Sequence, residues 1–203
     1  MTPEQRRAAI IDATVGVMLR QGIAAATVRD VASEMGTSSG LIHHYFGSMD
    51  ELLAEAFEQV ASADLSRTWA AVEADADPIS QLAVFFANYN RPGEQWSMQV
   101  WLDAWAEAAR RPALQQTSRR LNEEWQRLVA TLIRGGVSAG VMVCDEPDAA
   151  AWRIISLLDG LALQSVAHRD LVRLDDANTW AREYAERELG LSAGALDPQH
   201  SVV

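Results

Sequence analysis

A run of hydrogen-bonding side chains broken by a glycine turn lies in TVRDVASEMGTSSGLIHHYF, from Thr27 to Phe46. Ser39 and His44 can donate to base edges or phosphates, and Leu41 can touch a thymine methyl. Thr27 and Ser38 open short helices, where free N–H groups and the helix dipole suit a phosphate oxygen. At roughly 100° per residue, Ile42 and Phe46 share one face of the second helix. They look toward Val31 and Ala32 of the first, so Gly40, Leu41, His43 and His44 point outward. Gly40 costs that helix about 1 kcal/mol relative to alanine, a cost that is offset where a backbone must approach a partner closely. These residues alone leave two readings open: a helix that meets a groove wall, and a plain packing pair with solvated histidines.

A second concentration is aromatic. Seven tryptophans are present. Trp101 and Trp105 stand one turn apart, with Trp96, Phe86 and Tyr89 near in sequence, Trp125 further on, and the acids Asp103 and Glu107 beside them. Aromatic rings with a carboxylate suit a quaternary ammonium ion through cation–π contacts. A tryptophan stripe at helical spacing is more often core. The candidate ligand set is Phe86, Tyr89, Trp101, Trp105 and Trp125, and both readings stand.

Catalytic chemistry finds no support. The chain has no GxSxG elbow, P-loop or dinucleotide glycine fingerprint, and no HExxH or ExxH pair. Its four histidines (43, 44, 168 and 200) are not at metal spacing, and the adjacent pair points about 100° apart on a helix. The single cysteine, Cys144, rules out an internal disulfide and a cysteine zinc site. The expectation is a protein that is not an enzyme and needs no cofactor or metal.

The elements that must position these residues are all helical. Nearly half of the 203 residues are hydrophobic, enough for a sizeable core. Helix starts are marked at Thr2-Pro3, Thr27 with Asp30, Ser38, Ser48 with Glu51, Pro78, Pro112 and Pro147. Stops are marked at Gly22, Gly36, Gly47, Arg91-Pro92-Gly93, before Pro112, and at Gly135-Gly136 after Arg134. Further helices span Trp96 to Arg110, Pro147 to about His168, and Asp176 to about Leu189. The fold class is therefore all-α with about nine helices, and an unpacked tail over 192–203. Ile154, Leu157, Leu158 and Leu161 form one stripe that serves as a dimer interface or as ordinary core.

Net charge is −11, which by itself argues against a nucleic-acid partner. Its distribution is uneven. Residues 1–47 carry four arginines against four carboxylates, and the rest supplies the whole deficit with 13 arginines against 24 acids. That pattern fits a head tolerant of DNA on a body repelled by it. No apolar run of about 18 residues occurs, and the N-terminus lacks a signal peptide, so a cytoplasmic protein with no membrane partner is expected.

The stretch TVRDVASEMGTSSGLIHHYFGSMDELL, Thr27 to Leu53, resembles the signature of the tetracycline-repressor (TetR) family. Arg7-Ala8-Ala9-Ile10-Ile11-Asp12-Ala13 and Gln21-Gly22 resemble its first helix. The His44-Tyr45-Phe46 ending, and Trp101 to Ala108 before Pro112, are similar to the BetI branch of choline and betaine regulators. The resemblance implies a helix-turn-helix DNA-binding domain over 1–50, running into the fourth helix to about 65, and a ligand-binding and dimerisation domain over 66–191. It implies that Thr27, Arg29, Thr37, Ser38, Ser39, Gly40, Leu41, His43, His44 and Tyr45 contact DNA, and that Ile154, Leu157, Leu158 and Leu161 pair two copies. The implied function is a ligand-responsive regulator, by default a repressor. Such a regulator binds double-stranded operator DNA as a homodimer and leaves it when a small-molecule effector binds, here a quaternary ammonium or other apolar cation. Two positions depart from the pattern: Met49 stands where the family usually has lysine, and His43 where it usually has tyrosine. Both bear on affinity for phosphate. The alternative is a helical ligand-binding or scaffold protein whose head no longer binds specific DNA.

Overall fold

The computed structural model describes residues 1–89, 91, 93–168 and 170–197. Among them are nine helices and no strand, in the all-α class expected. They are α1 (Pro3–Gln21), α2 (Val28–Glu34), α3 (Ser39–Tyr45), α4 (Met49–Glu73), α5 (Pro78–Tyr89), α6 (Gln95–Ala108), α7 (Pro112–Ser138), α8 (Pro147–Ala167) and α9 (Leu174–Glu188). Pro92, part of the marked break before α6, lies outside the described residues.

Local chemistry explains the boundaries. Thr2 and Gln5 cap α1 reciprocally, and Thr27 and Asp30 do the same for α2. Gly22 ends α1 at φ 81°, a conformation that disfavours any side chain. At the start of α4, Ser48 Oγ accepts the N–H of Glu51 at 3.1 Å, while the Glu51 carboxylate takes the N–H of Gly47 at 3.0 Å. The stop expected after Arg134 does not occur: α7 continues through Gly135 and Gly136 to Ser138. Gly136 has a packing role instead, because a Cβ there would overlap the side chain of Met142. The unpacked tail is also corrected. Leu196 is fully buried, and the Glu186 carboxylate accepts the N–H groups of Gly194 (3.0 Å) and Leu196 (2.9 Å), so 192–197 are held against α9. Residues 198–203 lie outside the described residues.

The chain forms two compact units. The first comprises Met1–Ala63 and Gln99–Leu121, and so adds most of α6 and the start of α7 to the N-terminal helices. Its core includes Ile10, Val17, Ile23, Val31, Ile42, Phe46, Leu52, Leu53, Phe57 and Leu114. The second comprises Asp64–Met98 and the chain from Asn122 on. There Leu82, Phe85, Leu128, Ile133, Ile154, Ile155 and Leu158 are buried. α8 packs against α9, whose inner face is alanine (177, 181 and 185). Small side chains let the two helices approach closely. No helix among the described residues is long and apolar enough to cross a membrane.

Candidate DNA interface and ligand cluster

α2 and α3 pack on each other as a helix-turn-helix. The turn is made by Gly36 at φ 61°, and the Thr37 N–H donates to the Ala32 carbonyl at 2.9 Å. Ile42 and Phe46 are buried, as are Val31 and Ala32, so the inward face is the one periodicity marks. The Arg7 guanidinium lies 4.6 Å from the centre of the Phe46 ring and pairs with Glu55.

The outward face is well supplied with unpaired donors. His43, His44, Ser38 and Gly40 are exposed, and Thr37, Ser39, Leu41 and Tyr45 are half-buried. Among the described residues, the side chains of Thr37, Ser38, Ser39 and His43 have no hydrogen-bond partner, and His44 makes only an edge-on ring contact with Tyr45 at 5.2 Å. At Gly40 a Cβ would meet nothing nearer than Ser38 Oγ at 3.7 Å. The rest of the chain therefore does not require glycine there. Arg29 is exposed with no carboxylate partner among the described residues, whereas Arg20 is held by Glu34.

Thr27 differs from expectation. Its hydroxyl donates to Asp30 Oδ2 at 2.6 Å, and its own N–H donates to the same oxygen at 3.0 Å. These bonds and one from Gln21 hold the Asp30 carboxyl below its usual range and thus ionised. A charged carboxylate already occupies the end of α2, and the Thr27 hydroxyl is engaged with it as a helix cap.

The candidate ligand set divides between the two units. Trp101 and Trp105 belong to the first, where Trp101 packs edge-on against Phe57 at 4.9 Å and tilts against Trp105 at 5.5 Å. Trp101 is only 6% exposed. The carboxylates near them are already engaged. Hydrogen bonds from Arg110 and Arg111 hold the Glu107 carboxyl low, and Asp103 accepts from Gln99. Trp101 reads as core, whereas Trp105 is half-buried at its edge.

Phe86, Tyr89 and Trp125 belong to the second unit and gather around Phe85. Tyr89 stands 5.1 Å from Trp125 and 5.4 Å from Phe85, and Phe86 is edge-on to Phe85 at 5.3 Å. The Tyr89 hydroxyl donates to Asp159 of α8 at 2.5 Å. Burial pushes the Asp159 carboxyl up to about 6, against the opposing pull of that hydrogen bond. Burial first, then the charges of Asp159 and Asp64, raise Tyr89 well above its ordinary value. Asp64 is itself held by Arg67 and by Ser97 at 3.0 Å. Asp159 was not singled out from the sequence. Its signal was available: a lone acid in the middle of the apolar run Leu157-Leu158-Asp159-Gly160-Leu161.

Two of the four stripe residues assigned to pairing turn inward. Ile154 and Leu158 are buried within their own chain, and Leu157 and Leu161 are half-buried. The outer face of α8 carries Trp152, Ser156, Gly160 and Leu163 instead, and α9 exposes Trp180.

A helix-turn-helix with an open outward face on an all-helical chain is the architecture of a DNA-binding regulator, and comparison with known proteins agrees. The model of bacterial regulatory proteins of the tetR family matches residues 10–56, and that of the C-terminal part of BetI-type transcriptional repressors matches 81–190. The chain belongs to the TetR family, with a C-terminal part of the BetI type. It is similar to the HTH-type transcriptional regulator BetI 1 of Chromohalobacter salexigens, 30% identical over 192 residues and covering 92% of each chain. It is 36% identical over 174 residues to BetI of Paraburkholderia xenovorans, covering 79% of this chain and 82% of that one. Among solved structures, it resembles a putative transcriptional regulator from Saccharomonospora viridis in complex with choline. That match has a TM-score of 0.82 at 26% identity, over 92% of this chain and 98% of that one. The protein is thus a transcriptional regulator of the repressor type and not an enzyme.

Proposed function

We propose that this regulator binds a pseudo-palindromic operator as a homodimer through α3, and that an apolar cation of the quaternary ammonium class releases it. One observation carries the DNA reading: the side chains of Thr37, Ser38, Ser39 and His43 lie around the outward face with no hydrogen-bond partner among the described residues, beside a glycine the fold does not need. Ser39 and His44 donate to base edges, Leu41 meets a thymine methyl, and Arg29 and His43 serve phosphates. Two copies paired through the outer face of α8 and through Trp180 present two such helices about 34 Å apart, in successive major grooves.

The cation reading rests on the cluster of Phe85, Tyr89 and Trp125, whose Tyr89 hydroxyl donates to Asp159. Aromatic faces attract a desolvated cation, and a buried carboxylate without a basic partner gains one when the cation arrives. The choline held by the Saccharomonospora viridis protein has this chemistry. The cation releases DNA only by favouring the conformation with lower operator affinity.

The test takes the operator recovered from random duplex DNA and measures its affinity by fluorescence anisotropy with and without choline chloride. Weakening in the wild type that is lost in Asp159→Ala is expected. Choline binding that leaves operator affinity unchanged would remove the effector role.

A further inference from the structure

We infer that Asp50 is a positioning residue that locks the recognition helix α3 to the start of α7, so that the two move together. The inference rests on the operator-binding reading above. α3 leads into α4 through Phe46-Gly47-Ser48, and this connection is stiff: Phe46 is buried, and both the Gly47 N–H and the Ser48 hydroxyl are held by Glu51. Asp50 therefore moves with α3. Its Oδ2 accepts the N–H of Ala113 at 3.0 Å, across 63 positions of sequence. Ala113 lies in the first turn of α7, where N–H groups lack intrahelical acceptors and negative charge is favoured.

The other oxygen, Oδ1, is buried without a hydrogen-bond partner among the described residues. A buried acceptor left unpaired is a cost to folding. A side chain held in that state by one bond to another helix is a fixed joint and not a solvated surface acid. The far side of the joint is stiff as well. Glu107 at the end of α6 holds Arg110 at 2.5 Å and Arg111 at 3.1 Å, which fixes the corner that leads into Pro112. α3, the start of α4, this corner and the start of α7 all belong to the first compact unit. α7 is also the helix that carries Trp125 of the ligand cluster. A ligand-driven shift of α7 must then either carry the recognition helix with it or break the Asp50–Ala113 bond.

The experiment is hydrogen exchange followed by mass spectrometry on the full chain, free and bound to the operator duplex recovered from random DNA. Two segments are read: the recognition helix, 39–46, and the first turn of α7, 113–116. In the wild type, operator binding slows exchange in both. In Asp50→Ala the slowing of 39–46 remains and that of 113–116 is lost, while Asp50→Asn, which retains an acceptor oxygen, keeps both. Ala113→Pro removes the donor from the opposite side, within the first turn where the N–H has no intrahelical acceptor, and with exchange then read over 114–116 gives the same loss should the alanine variant not fold. The joint is overturned if 113–116 does not respond in the wild type, or if its response survives both Asp50→Ala and Ala113→Pro. A duplex that slows neither segment overturns the operator-binding reading and the joint with it.

Discussion

Gly40 separates the needs of the fold from the needs of binding. Its backbone is helical, and its missing Cβ would meet only Ser38 Oγ. Gly40→Ala should therefore raise stability by about 1 kcal/mol, measured by urea denaturation, while operator affinity falls. A variant that gains stability and keeps full affinity would show that no backbone approach occurs there. Asp159 gives the second prediction at this scale. Its folded value of about 6 lies above its ordinary 3.8, so its contribution to stability is fully present below about pH 4 and lost as pH rises through 6. The difference is roughly 3 kcal/mol. Asp159→Asn should flatten the thermal stability profile between pH 4 and pH 7, and an unchanged profile would show that the carboxyl is not buried as described. Ile42, Phe46 and the outward histidines were legible in the sequence because a wheel and a hydrophobic pattern determine them. Asp159 was legible only as a lone acid in an apolar run, because its partner Tyr89 lies 70 positions away and no local pattern links the two.

Helices were legible where side chains punctuate them. Thr2, Thr27 and Ser48 supply cap oxygens, and the proline starts at 3, 78, 112 and 147 all open helices. Two readings failed for physical reasons. Gly135-Gly136 looked like a stop, yet glycine inside a helix costs only about 1 kcal/mol, and the packing of Met142 makes Gly136 useful there. Two members of the α8 stripe, Ile154 and Leu158, turned out to be core because that helix is apolar on nearly every face, so periodicity does not say which side turns inward. Ile154→Ala should cost about 2–5 kcal/mol of stability as a core truncation. Leu163→Glu on the outer face should leave each chain folded by circular dichroism and shift sedimentation toward monomer. A Leu163→Glu protein that remains dimeric would move the interface off this face.

At the scale of the whole molecule, the charge asymmetry and the compact units bear on one another. The first 47 residues are neutral while the remainder is strongly acidic, so phosphate is tolerated at one end only. The sequence places a boundary near residue 65, whereas the first compact unit also takes in 99–121 from α6 and α7. That association depends on contacts such as Phe57–Trp101 and Asp50–Ala113, which link residues far apart in the chain and leave no local signature. The central claim, a dimeric head that reads a specific operator, is tested most directly by selection from random duplex DNA with the purified full chain, followed by a salt titration on the recovered sequence. The account predicts an enriched inverted repeat whose half-sites are one helical turn apart and whose affinity falls steeply with salt. Recovery of no preferred sequence by a folded protein, with or without a quaternary ammonium ion present, would contradict it.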